Sequence, residues 1–486
     1  MKALSSLLSI DKSLKPAAYL QIVNQLVKLI RDGILPPGYR LSSTRELARV
    51  LGVHRKTVVQ AYGELHAQGW LESQTGNGTF VARHIPDMQL QKGFVNRKVG
   101  PMQVAGYKFT PLPHLNRAAG KAGTGLHLDD GFPDPRLAPL EELSRAYRSQ
   151  LLTGNSYSKL GYGDTRGSLW LRQELSLYLN QTRGLKTTPD NILIVRGTIM
   201  GLYLVSTGLL RSGDNVVVSE MGWLGANSNF QHIGAHLLTI PADAHGIDLD
   251  ALEKLCIHKP IRLVYVTSHH HYPTTVALRA DRRIRLLRLA EQYGFIVFED
   301  DYDFDFHYLS KPLLPLAGAD PSGMVLYCGS FTKAISPAFR VGYLVGAEDV
   351  ITHLSQLRRI VDRQGDTILE NTIAELLHTG VIQRYLRKAV REYRNRRDLF
   401  CYLLEAKLGN RVNFKVPDGG MAVWTQFDKD IDLTSLAFKA LRNDLYFSDG
   451  KFHAPCESDF NSTRLGFASS NAGELEQSID LIAKLL

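Results

Sequence analysis

The chain has 486 residues, with 57 Lys and Arg against 48 Asp and Glu for a formal net charge of +9, and its length suggests two to four domains. No apolar run approaches the ~18 residues of a membrane span, and Cys256, Cys328, Cys401 and Cys456 show no C-x-x-C spacing, which argues against a disulfide framework. The start, Met1-Lys2-Ala3-Leu4, is interrupted by Asp11, Lys12 and Lys15 before any adequate signal-like region, so a soluble cytoplasmic protein is expected.

The charge is unevenly placed. Residues 1–125 carry 17 Lys and Arg against 6 Asp and Glu, and the remainder is close to neutral, which points to an acidic partner such as nucleic acid for the first part alone. From Ala17 to Ile30 the residues Tyr19, Ile22, Val23, Leu26, Val27 and Ile30 recur at helical intervals, and Gly33 stops the run. Ser43-Thr44-Arg45-Glu46 has capping-box spacing and opens a short helix through Leu47 and Leu51. Gly52 turns the chain into a third helix, starting near His54, that would bury Val58, Ala61, Tyr62 and Leu65. Two short helices about a glycine turn make a helix-turn-helix, and Trp70-Leu71-Glu72 with Thr79-Phe80-Val81 around Gly76-Asn77-Gly78 make a wing. His54, Arg55, Lys56 and Thr57 stand where a recognition helix puts base contacts. Arg45 and the wing tip at Gly76 and Gly78 would meet phosphates and the minor groove. The plainer alternative is a small three-helix interaction module with a solvated basic face.

Tyr19-x-Gln21-Ile22, Pro37-Gly38-x-Arg40-Leu41, Ser43-Thr44-Arg45-Glu46-Leu47-Ala48, Thr57-Val58-x-x-Ala61-Tyr62 and Gly76-x-Gly78-Thr79-Phe80-Val81 together resemble the winged helix of GntR-family bacterial regulators, over nearly all of residues 17–83. The sequence departs from that family at Ser42, where proline is usual, and at His54-Arg55-Lys56, where Ser-Arg-Asn is usual. Residues 85–125 follow, with Pro86, Pro101, Pro111 and Pro113 and six Lys or Arg against one acid. They read as a flexible basic linker, solvated or touching DNA phosphates.

From 126 onward short apolar runs alternate with helical patterns: Asn191–Val195, Asn215–Val218, Leu263–Val266, Phe295–Phe298 and Met324–Tyr327. This predicts an α/β domain with a mostly parallel sheet covered by helices. Chemically loaded residues follow the strand ends, where such sheets bind ligands. Gly197-Thr198 opens a helix able to cradle phosphate. Lys333 and Arg340 lie on the loop leaving the last run; a lysine there can form an imine with an aldehyde cofactor and an arginine can hold its phosphate, which suggests pyridoxal 5'-phosphate (PLP). An ordinary surface Lys/Arg pair is the bland alternative. Five acids between Glu299 and Asp305 admit a divalent-metal site, or a carboxylate paired with a pyridine nitrogen. His269-His270-His271 cannot all ligate one ion, because consecutive side chains point to alternate faces, and no metal is expected.

Gly161-Tyr162-Gly163-Asp164-x-x-Gly167 with Leu171-Arg172, Arg183-Gly184, Glu299-Asp300-Asp301-Tyr302, Ser330-x-x-Lys333 with Arg340-x-Gly342-Tyr343, and Arg464-Leu465-Gly466-Phe467 are similar in order and spacing to fold-type I aminotransferases. Joined to a GntR winged helix, the chain resembles a MocR-type regulator. The resemblance implies a winged helix-turn-helix (1–84), a linker (85–125) and a fold-type I, PLP-binding aminotransferase-like domain (126–486), with a mostly parallel large subdomain and an α+β small subdomain. It implies cofactor attachment at Lys333, pyridine-nitrogen contact from Asp300, 3'-oxygen contact from Tyr302, a cofactor contact from Ser330, and phosphate contact from Arg340, helped by Thr198 and by Tyr162 of a second subunit in a head-to-tail homodimer. Trp223 would stack on the ring, and Arg464 would clamp an effector carboxylate.

Four departures mark this pocket: Gly197-Thr198-Ile199-Met200 for Gly-Ser-Gln-Gln, Trp223 for tyrosine, His269-His270-His271-Tyr272-Pro273-Thr274-Thr275 for Ser-His-Gln-Phe-Pro-Thr-Gly, and Gly419-Gly420-Met421 without a following histidine. The expected function is DNA-binding regulation, sensing an amino acid, an amine or PLP. A working aminotransferase with an accessory DNA-binding module is the rival, and a domain that has lost PLP and only dimerises is a third possibility.

Overall fold

The computed structural model describes residues 7–11, 13–74, 76–84, 104–115, 125–155, 157, 160–308, 313–453 and 461–486. It divides into two compact units, Met1–Phe109 and Thr110–Leu486. Among the described residues no helix is long and apolar enough to cross a membrane. Cys256, Cys328 and Cys401 are buried free thiols, and Cys456 lies outside the described residues.

In the first unit, α1 (Ala18–Arg31), α2 (Thr44–Leu51) and α3 (Arg55–Ala67) are followed by antiparallel β1 (Leu71–Gln74) and β2 (Gly78–Val81). Ser43 Oγ caps α2 by accepting from the Glu46 amide at 3.2 Å, and Gly52 ends it in the left-handed region at φ 61°, where a glycine avoids the Cβ clash. Ile22, Leu26, Leu47, Val58, Ala61 and Leu65 form one small core. The Tyr62 hydroxyl donates to the Ser42 carbonyl at 2.9 Å, tying α3 to the segment before α2.

Much of the expected linker, 85–103 and 116–124, lies outside the described residues. From Thr110 the chain already belongs to the second unit. There Pro113–Leu115 forms a helical turn, and the His114 ring lies 5.6 Å from that of His232.

The second unit is built on a seven-stranded sheet: β3 (Ile192–Val195), β4 (Asn215–Ser219), β5 (His236–Ile240), β6 (Ile261–Val266), β7 (Ile296–Asp301), β8 (Val325–Ser330) and β9 (Gly342–Val345), in the order β3-β9-β8-β7-β6-β4-β5. Val216 and Val218 enter one apolar cluster and Val217 the other, so the strand is covered on both faces and reads as a continuous apolar run. One strand breaks the parallel pattern: β9 runs antiparallel to both neighbours. The short return from Ser330 to Gly342 leaves no room for the crossover that a parallel strand requires.

A smaller antiparallel sheet, β10 (Val412–Phe414), β11 (Ala422–Phe427) and β12 (Ser462–Gly466), packs with the helix Val381–Leu403. Leu126–Leu128 pairs in parallel with Leu445–Phe447, joining the start of the unit to its last third.

Candidate ligand site and DNA-binding face

The C-terminal ends of β6, β7 and β8 open on a cavity of about 220 Å³ whose lining includes Thr198, Trp223, Tyr265, Asp300, Tyr302, Ser330, Thr332, Lys333, Arg340 and Arg464. Eight of the nine residues expected to bind cofactor or effector therefore meet in one place. Tyr162 does not: it is 79 % exposed and its ring lies 4.0 Å from the Arg363 guanidinium.

Alternation along β7 and the turn after it sorts the acids. Glu299 is fully buried and accepts from the Leu316 and Ala317 amides, at 2.8 and 3.0 Å. Asp300 faces the cavity, where its Oδ2 accepts from the Tyr265 hydroxyl at 2.8 Å while its buried Oδ1 accepts no hydrogen bond. Burial pushes its pKa up to about 7 against the pull of Tyr265. Asp301 pairs with His269 at 3.1 Å, Asp303 with His270 at 2.7 Å and Asp305 with Arg183 at 2.9 Å. Each acid has its own task, and no group of three or more His, Cys, Asp or Glu is set to hold a metal among the described residues.

Lys333 sits not on an open loop but in a one-turn helix, Phe331–Ala334, because Ser330 Oγ caps it by accepting from the Thr332 amide at 3.0 Å. Its Nζ donates to the Gly131 carbonyl at 2.7 Å and lies 3.9 Å from the centre of the Phe132 ring. Burial lowers its pKa, opposed by Asp130 and Asp129, so the amine gives up its proton more readily than a surface lysine.

Arg340 takes a left-handed backbone, φ 51°, and lays its guanidinium over Gly197, where a Cβ would stand 3.2 Å from Nη2. Gly197 is the N-cap of α4 (Thr198–Leu209). A cation and the positive end of a helix thus converge, and no carboxylate pairs with Arg340 among the described residues, a combination that favours an anion between them. The buried Thr332 Oγ1, which makes no hydrogen bond, belongs to the same wall.

The loop after β6 shapes the rest. His270 lies where any side chain on Gly419 would collide, its Nε2 well inside contact distance of such a Cβ, which accounts for that glycine, while Gly420 stands at φ 79° with Asp303 Oδ2 3.0 Å from where its Cβ would be. His271 meets Thr274 Oγ1 at 2.8 Å, and burial lowers its pKa to about 4. The Tyr302 hydroxyl donates to the His270 carbonyl at 3.0 Å. Trp223 folds back over Gly225, where a Cβ would stand 2.5 Å from Cε2. Thr275, standing where the resemblance expects glycine, is held at φ 64°.

Tyr265, Thr332, Asp130 and Tyr272 also line the cavity and were not singled out by sequence. The adjacency of Thr332 to Lys333 was a usable signal, as was a tyrosine inside an apolar strand. Asp130 offered none, since its neighbour Arg464 lies far along the chain.

In the first unit Arg45, Arg55, Lys56, Gly76 and Gly78 are exposed, and Thr57 is half-buried. His54 is exposed too, but its Nδ1 accepts from the Lys56 amide at 3.2 Å, so it caps α3. Arg40 joins the wing by bridging to Phe80, with its Nε 3.3 Å from where a Cβ on Gly78 would stand.

This fold and cavity define a class, for residues 133–482 match the family model of aminotransferase class I and II, and residues 18–81 match that of bacterial regulatory proteins of the gntR family. The α-aminoadipate aminotransferase LysN of Thermus thermophilus, solved with N-(5'-phosphopyridoxyl)-L-leucine, aligns with a TM-score of 0.69 and 27 % identity over 74 % of this chain and 92 % of that one. Among full-length relatives, the probable rhizopine catabolism regulatory protein MocR of Rhizobium meliloti is 26 % identical over 98 % of this chain and 94 % of its own length. The HTH-type pyridoxine biosynthesis transcriptional regulator PdxR of Corynebacterium glutamicum is 30 % identical over 87 % of this chain and 86 % of its own. The chain belongs to the MocR-type regulators of the GntR family, DNA-binding transcriptional regulators in which a helix-turn-helix is joined to a class I and II aminotransferase domain.

Proposed function

We propose that the cavity of the second unit holds PLP attached at Lys333, and that the chain is a cytoplasmic regulator sensing an amino acid, an amine or PLP itself. One observation carries this reading: Lys333 Nζ shares the cavity with a buried carboxylate oxygen, Asp300 Oδ1, that has no hydrogen bond, and with the Arg340 guanidinium at the start of α4. Asp300 would take the pyridine nitrogen, Arg340 with Thr198, Ser330 and Thr332 the phosphate, Tyr302 the 3'-oxygen, and Trp223 the face of the ring. Bound there, the cofactor supplies an aldehyde carbon that takes up primary amines and a ring that withdraws electrons.

The chain's own groups prepare that chemistry. The desolvated Lys333 amine is a ready nucleophile. Asp300, whose pKa burial raises to about 7, would share a proton with the pyridine nitrogen. Arg464 is a further cation for an effector's carboxylate, and the Asp130 carboxylate beside it competes for the same guanidinium. A head-to-tail homodimer is part of the proposal, supported by the exposure of Tyr162 outside its own cavity and by exposed Leu152, Leu160 and Ile360. Displacement of Lys333 by an effector amine would change how the paired DNA-binding units engage their operator, which requires no turnover. The complete Lys333, Asp300 and Arg340 set also favours a second reading, an active aminotransferase, which sustained conversion of free amino and keto acids would establish.

The purified protein should absorb in the visible, and Lys333→Ala should lose that band. Borohydride reduction and peptide mapping should put the pyridoxyl group on Lys333; another lysine, or none, contradicts the assignment.

A further inference from the structure

Two successive carboxylates near the start of the second unit are put to different uses. Asp129 holds its loop, with Oδ1 accepting from the Gly131 and Phe132 amides, both at 2.9 Å, and Oδ2 accepting from the Ser469 hydroxyl at 2.7 Å. Asp130 does none of this. Its side chain, 30 % exposed, is part of the cavity wall. Its Oδ2 accepts from the Tyr272 hydroxyl at 2.7 Å, and its Oδ1 accepts no hydrogen bond and stands 3.4 Å from Arg464 Nε.

Arg464 is already engaged. Its side chain is 1 % exposed, Nε donates to the Asp130 carbonyl at 3.2 Å, and Nη1 donates to the Pro273 carbonyl at 3.0 Å. The next residue after Asp130, Gly131, gives its carbonyl to Lys333 Nζ. The Asp130 carboxylate therefore feels both the cation that would receive an effector's carboxylate and the lysine that an effector's amine would displace. Burial raises the Asp130 pKa, and Arg464, Lys333 and the Tyr272 hydroxyl oppose it; with the carboxylate ionised, an anion approaching Arg464 meets a like charge, while a second cation on the ligand meets an attractive one.

We propose that Asp130 is the specificity-determining residue of this cavity, selecting primary amines that carry a second cationic group over amino acids whose carboxylate adjoins the amine. The proposal rests on the reading that the cavity holds PLP at Lys333. It uses charge discrimination built against the unwanted ligand as well as attraction for the wanted one.

The test is titration of the cofactor-loaded full chain with 1,4-diaminobutane and with L-alanine, following the visible spectrum. Wild type should half-saturate with the diamine at a concentration at least about tenfold below that for L-alanine. Asp130→Asn keeps a group that can accept from Tyr272; it should shift the ratio of the two half-saturation points toward L-alanine by about tenfold or more, and Asp130→Ala should do the same. A cofactor band in wild type with the same ligand order and ratio in Asp130→Asn overturns the role of Asp130 while leaving the cofactor reading intact. If neither variant folds, the wild-type order still decides, since a preference for L-alanine overturns the proposal. No cofactor band in wild type overturns both.

Discussion

The Tyr265 hydroxyl donates to Asp300 Oδ2 at 2.8 Å from the neighbouring strand, leaving Oδ1 as the buried carboxylate oxygen without a hydrogen bond. The bond stabilises the charged form and opposes the effect of burial on Asp300. Tyr265→Phe should raise the Asp300 pKa beyond about 7 and weaken PLP retention by roughly tenfold, because a carboxyl about 1.4 kcal/mol harder to ionise pairs less readily with a protonated pyridine. Equilibrium dialysis against PLP measures it.

Asp300 also costs stability in the empty protein. Its carboxyl is raised from 3.8 to about 7 on folding, so the folded state binds the proton more tightly than the unfolded state does. The resulting destabilisation is absent below 3.8, grows as pH rises through the interval, and is complete above about 7. Asp300→Asn should therefore raise the melting temperature of cofactor-free protein near pH 8, do so much less near pH 4, and weaken PLP binding at both. A variant that melts lower than wild type near pH 8 would show that Asp300 is not under this penalty.

Thr275 holds a left-handed backbone, φ 64°, which a β-branched residue adopts at a cost of about 1–3 kcal/mol. Thr275→Gly should stabilise the protein by about 1 kcal/mol after allowing for the greater freedom of glycine in the unfolded chain. The midpoint of urea unfolding reads this directly, and an unchanged or lower midpoint would mean that contacts of the threonine side chain offset the strain.

Asp300, Lys333 and Arg340 were legible because each follows an apolar run whose length and composition mark a buried strand, and strand ends gather in one place whatever lies between them. The helices of the first unit were legible from periodicity and caps. Tyr265 and Asp130 were not, because their roles depend on contacts made across the fold: Tyr265 reaches Asp300 only once β6 and β7 align, and Asp130 reaches Arg464 only once the start of the unit packs against β12. Sequence alone puts Lys333 on a loop, because the helix that Ser330 caps spans too few residues to leave a periodic signal. The antiparallel β9 is not legible because four residues after a one-turn helix and a turn make too short an apolar run to mark a strand, let alone its direction.

In the first unit Arg45 and Arg55 are exposed on α2 and at the start of α3. Arg55→Ala should cost ~1–3 kcal/mol of operator affinity and relax specificity, as loss of a base-edge contact does. Arg45→Ala should weaken binding across sequences and lower its salt dependence, as loss of a phosphate contact does. Fluorescence anisotropy with operator and scrambled duplexes over a range of salt separates the two, and undiminished affinity in the double variant would move the interface elsewhere.

The central claim is that occupancy of the Lys333 cavity governs how the chain engages DNA. The most direct measurement titrates 1,4-diaminobutane into the full-length, PLP-loaded protein, with and without operator, recording the visible spectrum together with DNA affinity, footprint and bending. The amine should alter the spectrum and the DNA complex over the same concentration range. Any change in affinity should be reciprocal: operator should shift the amine's half-saturation by the factor by which the amine shifts operator affinity. A spectrum that responds fully while affinity, footprint and bending stay the same would contradict the account.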